Sequence, residues 1–292
     1  TFGYGDELKD LVDVNMLGGI ITKSLSWKPR DGNPPRRIAE TTGGMLNSIG
    51  LANIGVHRFV KDKLPYLKTL DTVVIANIAA SSIDEYCDVL SLLDQEEGVD
   101  GFEINVSCPN VKEGGLSFGT DCDATAEITS SLRRLTEKPL IIKLTPNVTH
   151  VSEFAKAAAR SGADAVSLIN TVIGMAVDVK TRKPKLSTVT GGLSGPAIKP
   201  IALAKVYEAA QSVDIPIIGI GGIAGAAEAL EFLREGASAA QIGARNQVDA
   251  SASGKLGLDA GEVAGGNNVS DLAEFVGALD ANVEFSVLQS WL

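Results

Sequence analysis

Cys108 lies in "INVSCPN" (104–110), between Ser107 and Pro109, with Asn105 and Asn110 close on either side, where the apolar run 101–106 breaks off. A thiol at such a strand end can serve as a general base if its pKa is lowered or if the proton it takes is acidic. It can equally be a buried thiol, and the residues alone leave both readings open. Lys23 and Lys143 also stand at the ends of apolar runs. A lysine there is costly unless it meets an anion, although many lysines solve the problem by reaching to solvent. Two of them together suggest a site for a flavin and a carboxylate. Asn77, Asn105, Asn170 and Thr171 end further runs. Any one could be an ordinary turn residue, but the set offers donors and acceptors on a single face.

Glycine-rich turns add an anion site. "GIGGIAGAAEAL" (219–230) leaves an apolar run and enters a helical pattern, so Gly221 and Gly222 would let backbone N–H groups approach an anion at the helix N-terminus. "QIGAR" (241–245) ends the next run with Gly243. Two such turns in succession match the phosphate site that barrels build after strands 7 and 8, and point to a phosphate or an FMN-type cofactor. A Rossmann site is rejected, because "GIGGIA" is not GxGxxG and no acidic residue ends a strand at the required distance. "GGLSG" (191–195), after the long segment that follows "INTV", reads either as a solvated linker or as backbone that closes over a ligand.

The elements that must position these residues are legible as seven short apolar runs: 18–25, 73–80, 101–108, 139–146, 165–172, 216–223 and 239–245. They are continuous rather than alternating, as expected of parallel strands buried on both faces. Helical patterns such as "SEFAKAAARSG" (152–162) and "IALAKVYEAAQSV" (201–213) lie between them, which makes βαβ units. "GVDGFEINVS", "GADAVSLINT" and "GASAAQIGAR" each pass from a helix-ending glycine into a strand. The expected fold is an α/β (β/α)8 TIM barrel over residues 1–280, with 281–292 as a C-terminal tail of unknown role. Only seven strands are found. The chain opens with "TFGYGDELKD", a loop entering a helix, so the first strand is expected to be absent.

Composition narrows the function classes. The chain has 292 residues, 45% of them hydrophobic, and a net charge of −10, which argues against a nucleic-acid or acidic-membrane binder. No run of about 18 apolar residues suggests a transmembrane helix. No basic-then-apolar leader opens the sequence. Three cysteines without a CxxC or Cys/His cluster fit a reducing cytoplasm and suggest no metal site. Cys87 and Cys122 lie in helical patterns and read as incidental. Two histidines make a histidine-based triad a poor expectation.

Longer stretches carry a resemblance. "KPRDGNPPRRIAETTGGMLNSIGLANIGV" (28–56), "INVSCPNVKEGGLSFGTD" (104–121), "IIKLTPNVT" (141–149), "INTVIGMAVD" (169–178) and "TGGLSGPAIKPIAL" (190–203) resemble the class 1 dihydroorotate dehydrogenases, from Thr1 to about residue 249. "VKEGGLSFGTD" is similar to the 1B type, a catalytic subunit. The resemblance implies an FMN-containing barrel that oxidises (S)-dihydroorotate to orotate in pyrimidine biosynthesis. It implies that Cys108 is the base at substrate C5, with hydride passing from C6 to the flavin. Substrate contacts are implied for Lys23, Asn47, Ile49, Gly50, Leu51, Asn105, Asn110, Asn170 and Thr171. Cofactor contacts are implied for Lys23, Ser24, Asn77, Asn105, Lys143, Gly195, Gly221, Gly222, Gly243 and Ala244. A homodimer and an FAD and iron–sulfur partner that passes electrons to NAD are further implications.

The chain departs from that pattern in places. The family's first strand, ending in Ala-Ser-Gly, would precede Thr1. Ala244 stands where Thr or Ser is expected, and Arg245 where Ala is expected. The stretch 252–266 is Gly-rich at the place of the last barrel helix, and interior glycine costs about 1 kcal/mol relative to alanine. "NVEFSVLQSWL" (282–292) lacks an Ala-Ser-Gly ending, so a first strand outside this sequence is preferred to this tail filling the gap. Two other readings are a dihydropyrimidine dehydrogenase-like flavin module and a non-catalytic barrel fragment unable to hold FMN.

Overall fold

The computed structural model describes residues 3–7, 13–107, 119–243 and 287–290. In chain order, the first barrel strand β1 (Gly19–Ile21) leads to β2 (Ile38–Thr41) and β3 (Gly44–Asn47) above the barrel, then to helices α1 (Val56–Asp62) and α2 (Leu64–Leu67). The barrel resumes with β4 (Val73–Ile78), α3 (Ile83–Asp94), β5 (Gly101–Asn105), α4 (Cys122–Arg133), β6 (Leu140–Lys143), α5 (Val151–Arg160) and β7 (Ala165–Leu168). A second excursion holds β8 (Val172–Met175), β9 (Val177–Asp178), β10 (Lys183–Pro184) and β11 (Thr190–Ser194). It is followed by α6 (Lys199–Ala210), β12 (Ile217–Ile220), α7 (Ala226–Arg234), β13 (Ala239–Ile242) and β14 (Val287–Ser290).

All seven expected strands are present, and the wall is closed by an eighth. Around the barrel the order is β1, β4, β5, β6, β7, β12, β13, β14, all parallel. β14 pairs Leu288 with both Gly19 and Gln241. The tail read as having no known role therefore supplies a stave, and the expected gap in the wall is filled. The reason is that strand pairing runs through backbone N–H and C=O groups. Two facing unpaired edges accept an extended segment whatever motif ends it.

Period-two alternation sorts the barrel residues. Ile21, Val73, Ile75, Ile141, Ala165, Ile218, Ile220 and Ala239 form a buried cluster of their own, which is the barrel interior. Their sequence neighbours Ile20, Val74, Ile142 and Val166 belong to the larger cluster shared with the helices. Continuing the inward alternation up the strands reaches Lys23, Asn77, Glu103, Asn105, Lys143, Ser167 and Gln241. The apolar interior thus gives way to polar groups towards the C-terminal ends of the strands.

Local chemistry sets the connections. Ser82 caps α3 by accepting from Glu85 N at 3.2 Å, and Asp121 caps α4 by accepting from Asp123 N and Ala124 N. The glycines of the internal repeat have left-handed φ: 81° at Gly98, 95° at Gly162 and 103° at Gly236. At the end of α5, Ala163 N donates to Ala158 O and Gly162 N to Ala159 O, a Schellman turn into β7.

Above the barrel mouth lies an antiparallel sheet of order β2-β3-β11-β8. "GGLSG" is thus an ordered strand rather than a solvated linker. A Cβ at Gly192 would lie 2.1 Å from Thr171 Oγ1, and one at Gly191 would lie 2.5 Å from Asn47 O. Only glycine lets this strand approach the mouth so closely.

Candidate functional site

The barrel floor is organised by Glu103, which is fully buried on the inward face of β5. Its Oε2 accepts from Asn77 Nδ2 at 2.5 Å and pairs with Lys143 Nζ at 3.3 Å. Its Oε1 accepts from Ser167 Oγ at 2.8 Å. Four neighbouring strands, β4 to β7, each contribute one member. A carboxylate against Asn77 requires the amide nitrogen to face it, because an amide oxygen there would be repelled. Asn77 Oδ1, on the other side of that amide, is buried without a hydrogen-bond partner.

One layer higher, Asn105 Oδ1 accepts from Asn170 Nδ2 at 3.1 Å and from Ser107 N at 3.2 Å. Buried Tyr86 donates its hydroxyl to Asn105 O at 2.7 Å, fixing the strand end from the helix side. Asn170 Oδ1 in turn accepts from Thr171 N. Asn147 braces the same turn, donating to Thr171 O at 3.0 Å and accepting from Ile173 N at 3.0 Å.

These residues open into a cleft of about 350 Å³. Every described residue expected to contact substrate lines it: Lys23, Asn47, Ile49, Gly50, Leu51, Asn105, Asn170 and Thr171. Ser24, expected at the cofactor, lines it as well. Burial, then the nearby Arg37, lower the Lys23 pKa from its ordinary 10.5 to about 8, with Glu7 opposing. The expected cofactor residues Asn77, Lys143, Gly195, Gly221, Gly222 and Gly243 do not line this cleft. Asn77 and Lys143 lie in the floor, joined through Glu103. Gly195 and Gly222 bring two loops together, since a Cβ at Gly222 would lie 3.0 Å from Gly195 O. Gly221 and Gly222 both have positive φ, and no side chain caps the N-terminus of α7 beyond them.

Cys108, Asn110 and Ala244 lie outside the described residues, as do Arg245 and the Gly-rich 252–266. Ser107, the residue before Cys108, lines the cleft. Burial, and then neighbouring acidic groups, raise the pKa of both Cys87 and Cys122, which disfavours their thiolate forms. Sequence reasoning missed Glu103, Ser167, Asn147, Asn33 and Thr190. The available signal for Glu103 was its place two residues before Asn105, on the same face of an otherwise apolar run. Asn33 holds the cleft wall, donating Nδ2 to Ser48 O at 2.9 Å.

Comparison with known proteins decides the family. The family model described as dihydroorotate dehydrogenase matches residues 1–255. The chain belongs to that family. It is 52% identical over 279 residues to the "Dihydroorotate dehydrogenase B (NAD(+)), catalytic subunit" of Geotalea daltonii, covering 96% of this chain and 92% of the relative. The protein of the same name from Geobacter sulfurreducens is 50% identical over 280 residues, with the same coverage. The crystal structure of DHODH in complex with ferulenol, from Eimeria tenella, shares the fold. Its TM-score is 0.68 at 20% identity, over 83% of this chain and 73% of that one. Among the described residues no helix is long and apolar enough to cross a membrane.

Proposed function

We propose that this chain is a flavin-dependent dihydroorotate dehydrogenase that binds FMN and oxidises (S)-dihydroorotate to orotate in pyrimidine biosynthesis. The observation that carries this reading is the convergence of Lys23, Asn47, Asn105, Asn170 and Thr171 on one cleft above a buried polar floor. A cation with amides and a hydroxyl suits a substrate that combines a carboxylate with a ring of alternating N–H and C=O groups.

The chain also fits FMN. Asn77 Oδ1 is a buried acceptor lacking a donor, and Lys143, which shares the Glu103 carboxylate with Asn77, supplies a cation in the same floor. The uncapped start of α7 after Gly221 and Gly222 offers backbone N–H groups for a phosphate. When bound, FMN supplies the two-electron acceptor for the hydride leaving C6. Cys108 takes the proton from C5 as the C5–C6 double bond forms. Lys23 holds the carboxylate, and the Asn105–Asn170 pair orients the ring. We further propose a cytoplasmic homodimer with an FAD and iron–sulfur partner subunit that delivers electrons to NAD.

The test is anaerobic mixing of the FMN-loaded protein with dihydroorotate. The wild type is expected to bleach in its flavin absorption band. Cys108→Ser should bleach about 10²- to 10⁴-fold more slowly at neutral pH, the usual contribution of a positioned base. A wild-type protein that stays colourless with added FMN overturns the cofactor assignment, and unchanged bleaching in the variant overturns the base.

A further inference from the structure

Glu103 does not line the cleft, and the proposed reaction gives it no direct contact with substrate or flavin. It is nevertheless engaged by side chains of three other barrel strands. Its side chain is 0% exposed, that of Lys143 is 2% exposed, and the two lie 3.3 Å apart. Isolating a carboxylate in a dry interior is expensive, and a buried pair is weak evidence for stability by itself. A hydrophobic pair of similar volume would serve the core as well or better. Retention of the charges therefore asks for a reason connected with what the floor supports.

The geometry supplies one. The Glu103 carboxylate accepts from Asn77, Lys143 and Ser167, so its two oxygens are held by three strands. It turns the Asn77 amide so that only the acceptor Oδ1 is left for a ligand, and that atom has no protein partner. It also places a negative charge within ion-pair distance of the floor's lysine. Resting on the FMN reading above, we propose that Glu103 is a positioning residue that sets the redox poise of the bound flavin. It does so by neutralising Lys143 and by presenting Asn77 to the ring as a fixed acceptor.

The sign follows from elementary electrostatics. Two-electron reduction makes the flavin ring more electron-rich, so an uncompensated cation beside it favours the reduced form. In a low-dielectric floor the effect of one charge is large. Glu103 opposes that cation, and it therefore holds the potential lower than Lys143 alone would set it. A residue that served packing alone would have no such signed effect.

The test uses the FMN-loaded protein and three variants: Glu103→Gln, Lys143→Met and the double variant. The measurement is the midpoint potential of bound FMN by equilibration with a reference dye, after circular dichroism has shown that each variant folds. Glu103→Gln keeps the shape and one acceptor oxygen for Asn77 and Lys143 while removing the charge, with its amide nitrogen donating to Ser167 Oγ. It is expected to move the reduced-to-oxidised ratio at fixed potential at least tenfold towards reduced, or about 30 mV positive for a two-electron couple. Lys143→Met should move it negative, and the double variant should fall between the two. If Glu103→Gln alone fails to fold, the double variant must still lie positive of Lys143→Met. An unchanged or negative shift in a folded, FMN-bearing Glu103→Gln protein overturns the proposal, as does a double variant that matches Lys143→Met. A wild type that binds no FMN overturns the cofactor reading and this inference with it, whereas a yellow wild type with an unshifted variant overturns only the inference.

Discussion

Lys143 and Lys23 look alike in the sequence, each a lone cation at the end of an apolar strand, but they occupy opposite kinds of place. Lys143 is at the floor, 2% exposed, with the Glu103 carboxylate at 3.3 Å. Lys23 borders the cleft, where desolvation and Arg37 lower its pKa to about 8. One cation is matched by a protein carboxylate. The other borders the cleft where the substrate carboxylate is proposed to sit. The same residue type thus faces a protein carboxylate in one region and, on the proposed reading, a substrate carboxylate in the other.

Removing each lysine should separate the two roles. Lys143→Ala leaves Glu103 buried without its cation and is expected to cost about 3–5 kcal/mol of stability, the usual effect of breaking a buried pair. Lys23→Ala should cost less, about 1 kcal/mol, since Lys23 is half-buried at the cleft, where burial already disfavours its charge. Thermal or urea unfolding of the cofactor-free proteins checks this, and equal losses would break the distinction.

Binding should respond in the reverse sense. Lys23→Met is expected to weaken orotate binding about 10- to 100-fold, in line with about 1.5–3 kcal/mol for a charged hydrogen bond. Wild-type affinity should also depend on pH. Below about 8 Lys23 is protonated and attracts the carboxylate, and above about 8 it loses the proton, so orotate affinity should fall as pH rises through that value. Orotate titrations between pH 6.5 and 9.5 read this without involving the base, and a flat profile would remove Lys23 from carboxylate recognition.

The smallest effect concerns Gln241, on the wall opposite Glu103. It is fully buried, and neither its Oε1 nor its Nε2 has a hydrogen-bond partner. In contrast to the satisfied carboxylate, Gln241→Met should be neutral or stabilise the cofactor-free protein by about 1 kcal/mol, because an unpaired buried amide carries a desolvation cost. A loss above about 2 kcal/mol on thermal unfolding would show that Gln241 is hydrogen-bonded after all.

Much of this arrangement was legible before any coordinates. Strands buried on both faces leave continuous apolar runs, so β4, β6 and β12 are plain in the sequence, and the turn glycines at 98, 162 and 236 mark where helices hand over to strands. The strand-end rule likewise picked out Lys23, Asn105, Asn170 and Thr171, which meet in one cleft. The strands over the mouth were harder. They are half-exposed and antiparallel, and β2 alternates between exposed and intermediate positions, so their runs carry little continuous apolar signal. β14 is not among the seven apolar runs, and it closes the wall because backbone pairing does not depend on a side-chain motif.

What the sequence by itself determined is the alternation of strands and helices and the polar residues at the strand ends. These follow from local periodicity and from the burial each segment must achieve. The tertiary structure alone decided that Val287–Ser290 closes the wall and that Glu103 meets Lys143, Asn77 and Ser167. Glu103 and Lys143 are 40 positions apart, and no local rule pairs them. Their contact exists because parallel strands in register bring inward-facing residues of neighbouring staves to the same height, where a buried charge is tolerable only beside its counterpart.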